Sequence, residues 1–403
     1  MKKEYDVVVI GAGASGLTAA ICAKRNNPNA RIAVFEKKDK PAKKLSATGN
    51  GRANLSNVNC SHVESVLDFL SSCGISVREE EGRIYPYSED AGAVAVSLVK
   101  SAECLGVEIF LNKTVKSIES VPGKNGRNNG FDFWCENDIN MYHTDRLILS
   151  TGGKSYASFG TTGDGYIFAR KLGHKVSKLA PALTAVEVLD NIKSLKGVRI
   201  KAKSQLIRDA ESIYSETGEV QFREDSVSGI PIMNTSTYIR PVQGETPEDG
   251  FKHYTLKFDL VPDFTLDEVK KMILSRLEIK GFDENDAIRT LVKEPMANYI
   301  VRKERIFFAG KPGKTASIEE ISDYISNELK SFELRVRGLK GWNEAQVTSG
   351  GVDLGEINPE SMESRILAGL YITGELLDYA GPCGGYNLNN AFYTGMIAGN
   401  SIK

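Results

Sequence analysis

A chain of 403 residues is long enough for two or three domains with sizeable cores. Its 51 Lys and Arg nearly cancel its 52 Asp and Glu, leaving a formal net charge of −1, too weak a field to draw the protein to nucleic acid or anionic lipid. The six cysteines (Cys22, Cys60, Cys73, Cys104, Cys135 and Cys383) form no C-x-x-C pair and read as reduced thiols, and no apolar run nears the ~20 residues of a membrane span, so the expected setting is the cytoplasm.

The first element, Asp6 to Ile10, is an apolar β-branched run that breaks into Gly11-Ala12-Gly13-Ala14-Ser15-Gly16. Such a run reads as a buried strand. Gly11 suits a tight turn, Gly13 a close approach to a pyrophosphate, and Gly16 the packing of the following helix. That helix, from about Ser15 to Arg25, aims free N–H groups and a partial positive charge at whatever lies above the turn. A second apolar strand, Arg31 to Phe35, ends in Glu36, which follows Gly16 by 20 positions. An acid so placed hydrogen-bonds a ribose diol. Strand, turn, helix, strand and acid together predict a dinucleotide site.

After a lysine-rich stretch comes Leu45-Ser46-Ala47-Thr48-Gly49-Asn50-Gly51-Arg52-Ala53-Asn54-Leu55-Ser56-Asn57. Glycines and small polar residues offer donors to an anion or a polar ring, and Lys44, Arg52 and Asn54 stand close behind the ribose acid. A helix is expected from Ser61 to Cys73, then Gly82-Arg83-Ile84-Tyr85-Pro86-Tyr87-Ser88, which fits a pocket lining or a surface turn equally. A helix (Ala91 to Leu105), a strand (Val107 to Leu111) and two antiparallel strands around the polar loop Pro122 to Gly130 follow. A returning strand from Met141 runs into Ser150-Thr151-Gly152-Gly153, predicting a second backbone approach to the same cofactor.

From about Pro181 short alternating stretches read as antiparallel strands of a small barrel or sheet. Thr265-Leu266-Asp267-Glu268 and Ser317-Ile318-Glu319-Glu320 are capping-box patterns that open helices, with more helix expected over 283–303. The C-terminal region returns to the first pattern. Leu370 to Thr373 runs into Gly374-Glu375, and Asp378 to Leu388 leads through glycines into a last helix. Its N-terminus favours negative charge, such as a reduced flavin carries on its pyrimidine side. The β-rich and helical segments therefore read as insertions in a nucleotide domain.

The motifs GAGASGL, ATGNGRANLSN, GRIYPYS, STGGKSY, TSGGVDLGEINPESMES and GLYITGELLDYAGPCGGYNLNNA, spread over nearly the whole chain, resemble the flavoprotein family that includes BaiN-like proteins and aminoacetone oxidase. The resemblance implies an α/β fold: a Rossmann-like FAD-binding domain with an inserted β-barrel-like domain that itself carries a helical insert. The expected boundaries are 1–185 and 346–403 for the FAD domain, 186–261 and 331–345 for the barrel, and 262–330 for the helices. It implies cofactor contacts at Gly11, Gly13, Ala14, Ser15, Gly16, Glu36, Lys37, Lys44, Arg52, Asn54, Val115, Thr151, Gly152, Gly374, Glu375, Asp378, Gly385, Tyr386, Asn387 and Leu388. One departure stands out: Asn389-Asn390 replaces a more usual Gln-Trp pair.

The expected activity is that of an FAD-dependent oxidoreductase moving a hydride between flavin and a small organic substrate. Two variants stay open. One is NAD(P)H-dependent reduction of a conjugated ketone, the other O₂-dependent oxidation of a small amine or amino-ketone. No second G-x-G-x-x-G occurs, so NAD(P)H would be a transient donor. No residue stands out as acid or base; Tyr386 and Tyr85 are the weak candidates, and no metal site is expected. The alternative of another class is a flavoprotein of RNA modification, or a regulatory FAD-binding protein. It wants a basic face, whereas the helical segment mixes Lys270-Lys271 and Arg302-Lys303 with many acids. The expected partner is therefore a small molecule, with neither nucleic acid nor membrane.

Overall fold

The computed structural model describes residues 2–123, 128–240, 249–310 and 316–403. The centre of the polar loop expected at Pro122 to Gly130, residues 124–127, lies outside them. The chain divides into two compact units, Met1–Pro181 with Ala345–Lys403, and Ala182–Glu344.

The first unit begins with β1 (Lys2–Ile10), α1 (Ala14–Asn26), β2 (Ile32–Phe35), α2 (Lys43–Ala47), β3 (Ser56–Asn57), α3 (Val63–Ser72), β4 (Val77–Glu80) and β5 (Arg83–Pro86). It continues through α4 (Ala91–Cys104), β6 (Glu108–Phe110), β7 (Val115–Pro122), β8 (Asn128–Cys135), β9 (Met141–Leu149), α5 (Asp164–Lys171) and β10 (Ala180–Ala182). The second unit holds β11 (Val186–Val188), β12 (Arg199–Arg208), β13 (Glu211–Phe222), β14 (Ser226–Ser228), α6 (Ile230–Ser236) and β15 (Tyr254–Asp259). Then come α7 (Leu266–Leu277), α8 (Glu284–Ile288), α9 (Glu294–Ala309), α10 (Ile318–Lys330) and β16 (Phe332–Leu339). The chain re-enters the first unit as β17 (Val347–Ser349), β18 (Leu370–Ile372) and α11 (Tyr386–Ser401).

The main sheet of the first unit has the order β6-β2-β1-β9-β8-β7, with β18 also paired to β9. Strands β6, β2, β1, β9 and β18 are parallel, and β7, β8 and β9 form an antiparallel meander. Helix-covered parallel strands are buried on both faces, which is why Val7 to Ile10 and Ile32 to Phe35 are continuous apolar runs. Against this sheet α1 packs on α11 at close range. A Cβ at Gly395 would strike the Ser15 carbonyl, and one at Gly399 the Ala19 carbonyl. The two glycines let the backbones approach.

The second unit is a closed barrel, β11-β14-β13-β12-β15-β16. The strict in/out alternation of β16 and β15 follows from one face filling the core, where Phe222, Phe258 and Phe332 meet. Both capping boxes form: Thr265 with Glu268 opens α7 and Ser317 with Glu320 opens α10. The helical stretch expected over 283–303 forms as two helices, α8 and α9, because Pro295 starts a new first turn. Among the described residues no helix is long and apolar enough to cross a membrane.

Candidate functional site

The C-terminal ends of β1, β9 and β18 converge on the first turn of α1. Gly11 sits at φ +103°, and a Cβ there would lie 2.5 Å from the Ser150 carbonyl oxygen. A Cβ at Gly16 would overlap the Gly11 carbonyl. Gly13 differs from both. Its backbone is extended (φ −82°, ψ −172°), and nothing lies within 4 Å of its missing side chain. Two glycines thus serve internal packing, and the third faces open space where an anion can approach the helix N-terminus. Ala14 and Ser15 begin that helix, whose first turn carries no acid.

Glu36 ends β2 with its carboxylate against the turn: Oε2 accepts the Ala12 N–H at 2.9 Å and Oε1 the Lys38 N–H at 2.9 Å. Val115, the first residue of β7, follows a segment whose Lys113 N–H donates to the Glu36 carbonyl, so it lies on the same side of the site. Thr151 follows β9 beside Gly11, its Cα 3.1 Å from where a Cβ would stand. Gly374, at φ +67°, presses on the Ser15 hydroxyl, and its N–H donates to Thr394 Oγ1 at 3.0 Å.

A polar knot joins four segments next to this turn. Lys44 Nζ lies 2.7 Å from Glu375 Oε2 and donates to Ser155 Oγ at 2.8 Å. Glu375 Oε1 accepts the Thr348 N–H at 2.8 Å and the Ser155 hydroxyl at 3.2 Å. In the STGG motif the second glycine, Gly153, packs against Thr348 and Glu375. A Cβ there would lie 2.5 Å from Glu375 Oε1, so this glycine seats the carboxylate. Gly152 adopts φ +71° against Thr161. Burial, with Glu375 next to it, pushes the Tyr166 phenol well up, so Tyr166 stays a neutral donor to the Glu375 carbonyl at 3.1 Å.

On the other side, Gly385 (φ +101°) opens α11 where a Cβ would collide with the Ser56 carbonyl and lie 2.8 Å from Asn54 Oδ1. The loop at 45–57 is laced to this helix start. Asn57 Nδ2 donates to the Gly384 carbonyl (3.1 Å), and Asn389 accepts the Ser56 hydroxyl (2.8 Å) and donates to the Ser61 carbonyl (3.1 Å). Asn389 is buried, so the departure at 389 cross-links two segments. Asn387 closes the loop below through paired 2.9 Å bonds to Gly381, and Leu388 packs on the core. Two buried polar atoms in this region, Asn54 Oδ1 and Thr151 Oγ1, have no hydrogen-bond partner. Both are enclosed by protein, Thr151 against Gly165 and Asn54 against Gly385, whereas the open space at Gly13, over the acid-free first turn of α1, leaves room for the anionic pyrophosphate of a dinucleotide. The residues present therefore fit FAD.

Three expected contacts are otherwise engaged. Lys37 pairs with Asp164 at 2.6 Å; burial opposes ionisation of Asp164, but the Lys37 and Thr162 hydrogen bonds outweigh it and hold the carboxyl below its usual range. Arg52 reaches Glu80 (2.6 Å) and Glu89 (2.8 Å) and lies 4.3 Å over the Tyr85 ring, which is buried beneath it. Asp378 accepts the Ser177 hydroxyl at 2.7 Å on the surface. Ser150, Ser155, Thr348 and Thr373 were not singled out as site residues: isolated hydroxyls have no spacing signature, although each stands in or next to a glycine motif.

A Rossmann sheet with this turn, and a barrel inserted in its chain, define an FAD-dependent oxidoreductase. A family model described as "HI0933-like protein Rossmann domain" matches residues 61–401 and one described as "FAD binding domain" matches residues 6–74. The chain belongs to the HI0933-like family. It is 32% identical over 420 positions to the 3-dehydro-bile acid delta(4,6)-reductase of Clostridium scindens, with 98% of each chain covered. It is 26% identical to the ribosomal RNA dihydrouridine synthase of Haemophilus influenzae over the whole of both. The 3-ketosteroid delta1-dehydrogenase of Sterolibacterium denitrificans shares the fold (TM-score 0.53, 13% identity, 99% of each chain). A flavocytochrome c3 fumarate reductase does too (TM-score 0.51, 15% identity, 99% of this chain and 78% of that one).

Proposed function

We propose that this protein reduces a carbon–carbon double bond conjugated to a carbonyl, on a ketone of steroid-like size, with NAD(P)H as the electron donor. The observation that carries this reading is the full-length likeness to a delta(4,6)-reductase acting on a 3-dehydro bile acid. The name of the second relative, a dihydrouridine synthase, concerns the same kind of bond in a uracil ring, which supports the reaction class over any one substrate. The balance is simple: NAD(P)H and one proton are consumed, the double bond gains two hydrogens, and NAD(P)⁺ leaves.

Bound FAD supplies hydride chemistry, taking two electrons from one molecule and delivering them to another. The chain's own residues bind, orient and supply a proton. The α1 N-terminus and Gly13 would hold the pyrophosphate, Glu36 the ribose diol, and Asn54 with Gly385 to Leu388 the ring side. The α11 N-terminus favours negative charge there. Tyr386, in the first turn of α11, is partly exposed and its hydroxyl has no hydrogen bond among the described residues. It is the group we place as proton donor to the carbon next to the carbonyl; Tyr85, covered by Arg52, is a packing residue.

The test is anaerobic. NADPH or NADH should bleach the bound flavin, and a 4-en-3-one steroid should then restore the oxidised spectrum without oxygen. Tyr386→Phe should slow that return by on the order of a hundredfold, the scale of a lost general acid, while leaving bleaching intact. Reoxidation by air alone, with the enone inert, would overturn the reading in favour of an oxidase.

A further inference from the structure

Beneath the glycine turn stand three buried hydroxyls, of which only Ser15 belongs to the turn itself. Ser150 follows β9, Thr373 follows β18 and Ser15 lies in the first turn of α1; their exposures are 4%, 0% and 6%. Ser150 Oγ lies 2.6 Å from Thr373 Oγ1, and Thr373 Oγ1 donates to Ser15 Oγ over a slack 3.3 Å. A hydroxyl carries one proton. Thr373 directs its proton to Ser15, so the proton in the short bond is Ser150's, and Ser15 keeps its own with no acceptor among the described residues. Glycines press the three together. The Cβ missing from Gly374 would lie 2.6 Å from Ser15 Oγ, and that missing from Gly16 would lie 3.2 Å from Ser150 Cβ.

We propose that Ser150, Thr373 and Ser15 form a hydroxyl relay polarised toward the α1 N-terminus, which presents the Ser15 proton to a pyrophosphate oxygen of FAD. Ser15 is the contact; Ser150 and Thr373 are positioning residues that strengthen cofactor binding without touching it. Each bond in such a chain polarises the next, and a hydrogen bond to an anionic oxygen is about twice as strong as a neutral one. The relay ties the ends of β9 and β18 to the phosphate site, so the inserted segments that separate these strands in sequence do not enter it. The inference rests on the FAD assignment.

The test titrates apo-protein with FAD, with ADP (the pyrophosphate half alone) and with riboflavin (no phosphate), and measures melting without ligand. Ser15→Ala should weaken FAD and ADP by about tenfold, the scale of one charge-assisted bond. Thr373→Val should weaken both by about threefold and Ser150→Ala by less, through cooperativity alone. Riboflavin binding should not change. The double variant Ser15→Ala/Thr373→Val should bind no worse than Ser15→Ala, because the relay is already cut, and Thr373→Ser should bind like the wild type. Should Thr373→Val fail to fold, Ser150→Ala carries the same comparison. Additive losses, unchanged FAD and ADP affinity in both positioning variants, or an equal loss toward riboflavin would overturn the relay. Failure of the wild type to bind FAD would instead overturn the cofactor assignment.

Discussion

At the residue scale, the three turn glycines separate structural from functional need. Alanine at Gly11 or Gly16 would meet backbone atoms, and Gly11 also holds a positive φ. Gly13 has an ordinary φ and an empty neighbourhood, so a methyl group there conflicts with nothing in the protein, only with a ligand lying on the helix N-terminus. Gly13→Ala should therefore leave apo-protein melting within the small range of a harmless surface change, about ±0.5 kcal/mol. It should lower FAD affinity tenfold or more. Gly16→Ala should lose apo stability outright. Calorimetry of the two variants with and without FAD checks the contrast; equal behaviour would mean Gly13 faces no cofactor.

At the element scale, the strand, helix and capping signals were legible because each is local. Val7 to Ile10 and Ile32 to Phe35 announce buried parallel strands, and Thr265/Glu268 and Ser317/Glu320 announce helix starts. The interior of the site was not legible, because it is built by register. Pairing of Leu149 with both Ile10 and Ile372 sets Ser150 beside Thr373, positions more than 200 residues apart, and no single stretch encodes that. The same holds for α1 against α11. Gly399 looks like a weak point in a helix, since alanine is worth up to about 1 kcal/mol more there. Yet a Cβ at Gly399 would lie 2.7 Å from Cys22 Cβ and 2.9 Å from the Ala23 nitrogen. Backbone cannot yield cheaply, so overlap outweighs propensity. Gly399→Ala should destabilise by about 1–3 kcal/mol, read as a lower urea midpoint with an unchanged slope. A stabilised variant would mean that the two helices part easily.

At the scale of the whole molecule, charge separates the two relatives' substrates. The nearly balanced 51 and 52 charges give no net attraction to RNA, and several basic residues of the helical segment are held in ion pairs. Lys303 reaches Glu328 at 2.6 Å, Arg305 reaches Glu284 at 2.7 Å and Lys270 reaches Asp323 at 3.0 Å. Cations already paired with carboxylates release few counterions on meeting phosphate, and counterion release is what drives RNA binding and gives it a steep salt dependence. A protein acting on ribosomal RNA needs several such contacts; one acting on a conjugated ketone needs none. A ribosomal RNA fragment should accordingly bind weakly at 0.15 M salt, with log K falling against log salt by less than about one unit per decade, where six to ten phosphate contacts would give a slope of roughly five or more. Filter binding across 0.05–0.2 M salt, a range that resolves such slopes, measures this directly. A steep slope with tight binding would favour a uracil ring over the proposed ketone as substrate, while leaving the cofactor site unchanged.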